Sequence, residues 1–181
     1  MLLEILAVLA LQAAAPESVA SGGPECAAEG ACRRVGTVTF KADGKTAVFR
    51  INRDLPWVTQ GNVLLFPGEA VVVALDDVNG QLQPRLVASG AAVKGHALKP
   101  GELSFSFDIR PEGSILRAES AHPSAIHYGA MMVGPDNRSQ PTSICPVRSG
   151  KFVLEHWPHP IVQLALSNFR AVDLSKGVGC S

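Results

Sequence analysis

Five histidines and four cysteines carry most of the side-chain chemistry open to this 181-residue chain. His156 and His159 stand three apart with Pro158 between them, so they do not share a helix face, and a metal held by both needs a turn. His122 and His127, with Met131 and Met132, supply the imidazole and thioether donors that suit copper. A blue-copper site takes two histidines and a cysteine, usually with an axial methionine. Cys145 is followed by no histidine until His156 and by no methionine at all. Surface or packed positions therefore explain His127, His156 and His159 better than ligation does, and no metal or other cofactor is expected.

Nucleophilic chemistry has as little local support. The chain has no Gly-x-Ser-x-Gly elbow, no Ser-x-x-Lys pair and no His-Glu-x-x-His helix. Triads also assemble from distant positions, so a small secreted hydrolase using His127, His156 or His159 stays as an alternative. A periplasmic copper or zinc carrier using the same histidines is the other. Asp76, Asp77, Asn79 and Gly80 lack the further oxygen ligands of a calcium loop and read as a turn. Trp57 follows Pro56 and Trp157 precedes Pro158. Exposed beside such rigid turns they would be partner contacts, whereas a sandwich tryptophan is more often core.

The cysteines say more about compartment than about catalysis. Cys26, Cys32, Cys145 and Cys180 are even in number, as expected of disulfides in an oxidising environment. Zinc wants repeated close ligand pairs, and here there is one close pair. Four cysteines allow three connectivities, of which Cys26 with Cys32 and Cys145 with Cys180 closes the cheapest loops. Residues 1–15 have the layout of a secretory signal peptide, an apolar run from Ile5 to Leu11 followed by Ala13, Ala14 and Ala15. Glu4 stands where such a segment commonly carries positive charge. Residues 16–34, rich in Pro, Ser, Gly and Ala, read as a flexible leader holding Cys26 and Cys32.

The elements that would position all of this read as strands. Val35 to Phe40 and Thr46 to Ile51 flank Asp43 and Gly44, a hairpin signal. Val63 to Phe66 and Ala70 to Leu75 flank Pro67, Gly68 and Glu69, read as a second hairpin, and Asn79 and Gly80 mark another turn. Leu103, Phe105, Phe107 and Ile109 alternate with polar neighbours, the period of a half-buried strand. Phe152 to His156 reads as a strand. Ile161 to Leu174 fits either period. Its context favours a strand, with a bulge near Asn168 to turn Phe169 inward. Turn signals every 8 to 12 residues or so predict an all-β, single-domain antiparallel β-sandwich of immunoglobulin-like type over residues 35–181, with disulfides.

Sixteen basic and sixteen acidic residues leave the chain formally neutral. That balance argues against nucleic acid as a partner and against a polybasic membrane contact. No membrane span is expected once the signal is removed. The function expected is a non-enzymatic binding or assembly module, periplasmic or extracellular, whose partner is another exported or envelope protein.

Overall fold

The computed structural model describes residues 26, 30–42 and 45–180. The expected signal peptide lies outside them, as does most of the expected leader. Among the described residues no helix is long and apolar enough to cross a membrane. Strands β1 (Cys32–Ala42) and β2 (Lys45–Pro56) pair antiparallel, ending with Ala42 opposite Lys45. The turn residues Asp43 and Gly44 are themselves outside the described set. Strand β1 begins at Cys32, so the boundary expected at residue 35 falls inside a strand. This hairpin buries Val35, Val38 and Phe40 against Phe66 and Val162 of the main body.

From Trp57 onward the chain builds two antiparallel five-stranded sheets. The first contains β3 (Val58–Thr59), β4 (Asn62–Leu65), β9 (Ala125–Val133), β10 (Ser139–Thr142) and β12 (Gln163–Val172). Its spatial order is β10-β9-β12-β4-β3. The second contains β5 (Glu69–Val78), β6 (Gln81–Ser89), β7 (Glu102–Arg110), β8 (Gly113–Ser120) and β11 (Lys151–Trp157). There the order is β11-β8-β7-β5-β6. The molecule is thus the all-β sandwich that the strand pattern predicts.

Alternation explains the packing. Leu103, Phe105 and Phe107 of β7 are buried in the core, while Ser106 and Asp108 face out. Val71, Val72 and Val73 of β5 are all buried, as a continuous apolar run requires of a strand covered on both faces. A 3-10 turn over Gly90–Val93 follows β6 and lies close to β5. In β12 the register against β9 shifts between Ser167 and Arg170, and Asn168 adopts a left-handed φ of 54°. The extra residue turns Phe169 into the core, where its ring lies 5.7 Å from Tyr128 and 6.2 Å from Phe105.

One turn differs from its expected role. Pro67 and Gly68 do not close a hairpin: β4 pairs with β3 and β12, whereas β5 pairs with β6 and β7. The turn carries the chain from one sheet to the other. Glu69 fixes the crossing by accepting the Phe66 N–H at 2.8 Å, and the Gly68 N–H donates to the Phe107 carbonyl at 2.8 Å. The Asn79–Gly80 turn does close a hairpin, with Val78 opposite Gln81 and both linking residues at positive φ. Asp77 accepts the Gly80 N–H and Asp76 pairs with Arg85, so these carboxylates serve the turn and the strand pair.

Candidate functional site: an open sheet edge

The histidines are dispersed. His127 sits in β9 opposite Arg170 of β12, buried in the first sheet. Burial, and secondarily the Arg170 charge, holds its imidazole below the ordinary range. His156 lies in β11 of the second sheet, exposed, with Nε2 3.3 Å from the Glu112 carbonyl. His159 is in the turn after β11, where its carbonyl accepts the Ser114 hydroxyl at 3.0 Å. The fold therefore places His127 and His156 in opposite sheets. Among the described residues no three His, Cys, Asp or Glu side chains gather to hold a metal.

Both tryptophans are core residues, which removes Trp57 and Trp157 as exposed partner contacts. The indole N–H of Trp157 donates to the Thr142 hydroxyl at 2.6 Å, satisfying the polar end of a buried ring. The Trp57 ring lies under the Arg33 guanidinium, 4.1 Å from the ring centroid. Arg33 donates to both Glu69 carboxylate oxygens and to the carbonyls of Leu55, Pro56 and Leu64. All five guanidinium donors are used, a full set for a charge placed this deep. Cys26 is bonded to Cys32 and Cys145 to Cys180, the pairing that loop closure predicts. Such bonds persist in an oxidising environment, with which their presence agrees.

One hydrogen-bonded pair gave no sequence signal. His96 Nε2 lies 2.9 Å from a Glu102 oxygen that also accepts the Lys99 N–H at 2.9 Å. Burial works to raise the Glu102 pKa, but the Lys99 N–H and His96 outweigh it and the net shift is downward. The pair fastens the segment after β6 onto β7 and is a structural clasp.

The sheet edges are where the surface is unusual. Edge strand β3 has two residues. Edge strand β10 has four and includes Pro141. Edge strand β6 carries Pro84 near its middle and is paired to β5 through a register shift. Brevity, proline and irregularity each blunt an edge against pairing with another chain. Strand β11 has none of them: seven residues, no proline, and an unbroken register with β8 from Lys151 opposite Ser120 to Trp157 opposite Ser114. The Ser114 end is held tight because Gly113, at φ 137°, lies so close to the Trp157 carbonyl that no Cβ fits.

Two of the three outward residues of β11, Phe152 and Leu154, are apolar, and the third is His156. Phe152 is 55% exposed and Leu154 60% exposed. Arg117 of β8 covers one side of the Phe152 ring at 4.6 Å from its centroid. Beside Leu154 a groove of about 400 Å³ crosses the outer face past Arg117 and Ile115 toward Ser106 and Ala70. Inward, Val153 packs on the core and Glu155 accepts the Cys145 N–H at 2.7 Å. Sequence reasoning finds the strand but misses its edge position, because strand order is not written in any local pattern. The signal that could have marked it is the pair of large apolar residues at Phe152 and Leu154, offset by one from the inward set. Comparison with protein-family models, curated proteins and solved structures finds no match to this chain.

Proposed function

We propose that this protein is an exported, non-enzymatic binding or assembly module that engages another exported or envelope protein along β11. The observation that carries this reading is the contrast among the four edges of the two five-stranded sheets, of which β11 alone is long, regular and proline-free, while the longer β1–β2 ribbon is broken by a register shift between Val35 and Thr37. An added strand would satisfy the outer backbone groups of β11, and alternate side chains would set specificity. Covering Phe152 and Leu154, each already close to half buried, would contribute about 1–1.5 kcal/mol each as the remaining apolar area leaves water. Two disulfides and the apolar stretch at residues 5–11 support export to the periplasm or beyond.

The reading is tested in the cell of origin with a photo-crosslinking residue placed at Leu154, and at Val78, exposed at the far end of β5, as control. A discrete covalent adduct from position 154 and none from position 78 is expected, lost when Phe152→Asp is added. Equal labelling from both positions, or none from position 154, would overturn it.

A further inference from the structure

We propose that the strand added to β11 is β11 of a second copy of this chain, antiparallel about a two-fold axis at Val153, so that two five-stranded sheets join edge to edge. This deepens the edge-strand reading and rests on it.

The order of residues in β11 carries the argument. Lys151, Phe152, Val153, Leu154 and Glu155 run cation, apolar, Val, apolar, anion. Reversed about Val153, Lys151 meets the partner's Glu155, Phe152 meets the partner's Leu154, and Val153 meets itself. Opposed residues in an antiparallel pair lie on one face of the sheet at about 4.5–5.5 Å between Cβ atoms. The outward row therefore gains a phenyl–leucyl contact on each side of the axis, and the inward row an ion pair on each side. Moving the axis to Leu154 sets Lys151 against Trp157 and Glu155 against Val153. A parallel arrangement faces like residues with like. The axis at Val153 is the register that pairs both charges and both large apolar residues, and an isologous two-fold contact closes on itself without forming a filament.

The charges are available for this. Among the described residues neither Lys151 nor Glu155 belongs to an ion pair within 4.0 Å. Lys151 is exposed, and the half-buried Glu155 is held in place by the Cys145 N–H. Of the backbone hydrogen bonds outside the sheet ladders, β11 takes part in one, from Lys151 N–H to the Arg148 carbonyl at its start. A seven-residue edge covers less than the roughly 1,600 Å² of a standard interface and belongs with weak, reversible contacts, so association is sought at about micromolar to millimolar chain concentration.

Sedimentation velocity of the purified full-length chain across that range is the test. Wild type is expected to shift reversibly from monomer to dimer. K151E puts two glutamates opposite each other and E155K two lysines, and each alone weakens dimerisation by about tenfold or more. Mixing the two variants restores a heterodimer, because each then supplies the charge the other lacks, and K151E/E155K in one chain restores the homodimer. Leu154→Arg, at an exposed position that leaves the core untouched, abolishes the dimer while the circular dichroism spectrum stays unchanged. A wild type that stays monomeric, a K151E dimer as tight as wild type, or a mixture no tighter than its components would overturn the proposal. A monomeric wild type with a specific crosslink from position 154 to a different protein would overturn the self-pairing and leave the edge-strand reading standing. Loss of both signals removes both.

Discussion

Two buried titratable side chains bear on how this protein responds to acid. His127 is depressed by burial and by Arg170. Glu102 is depressed on balance by the Lys99 N–H and His96, against the upward pull of burial. In both cases the folded-state pKa lies below the unfolded one, so the unfolded chain binds protons more readily and stability falls as pH falls. For His127 the loss begins as pH passes down through its ordinary value of 6.5, and for Glu102 below 4.5. Urea midpoints are therefore expected to decline between about pH 7 and 5, a step flattened in H127Q, with a second decline in stronger acid flattened in E102Q. A wild-type midpoint constant down to pH 5, or one that rises, would contradict the His127 part. Neither residue could be ranked from sequence. The Glu102 carboxylate lies six residues from His96 across a loop, and nothing in the intervening residues says that the loop folds back.

At the scale of elements, the β1–β2 hairpin is joined to the sandwich by a small apolar cluster and by Arg33. Arg33 and Glu69 are partly buried, so removing one member of their fully bonded pair costs about 2–4 kcal/mol, somewhat less than for a deeply buried pair, because the other charge loses its partner. R33A is expected to lose that much in chemical denaturation and to change Trp57 fluorescence, since the guanidinium lies over that indole. R33A/E69Q should recover part of the loss. A cost under about 1 kcal/mol would show that apolar contacts alone hold the hairpin. Most of these elements were legible beforehand. The two-residue alternation of Leu103 to Ile109 dictates one strand, and Asn168, tolerant of positive φ, allows the bulge that reconciles the two periods of Ile161 to Leu174. The Pro67–Gly68 turn reads as a hairpin in the sequence because turn chemistry specifies a change of direction and is silent on which sheet the next strand joins. The open edge at β11 was missed for the same reason.

For the molecule as a whole, the two disulfides should differ in worth by their loops. Cys26 and Cys32 are separated by 6 residues and Cys145 and Cys180 by 35. In the chain-entropy account the short loop stabilises by about 2 kcal/mol and the long one by about 4. C145A/C180A is therefore expected to cost roughly twice what C26A/C32A costs in thermal or urea unfolding, and the reverse order would count against that account. The longer bond ties the segment after β12 to the crossing that leads into β11, so it joins the two sheets at the end of the chain. Strand β12 has a further consequence, one of timing. It is the last strand in the chain order yet lies inside its sheet, between β9 and β4. Until it is made, both neighbours present bare ladders, and β4 waits through about a hundred residues of synthesis for its main partner. The first sheet therefore cannot close until Gln163–Val172 has been made, and a product cut short before Gln163 would add the open ladders of β4 and β9 to that of β11.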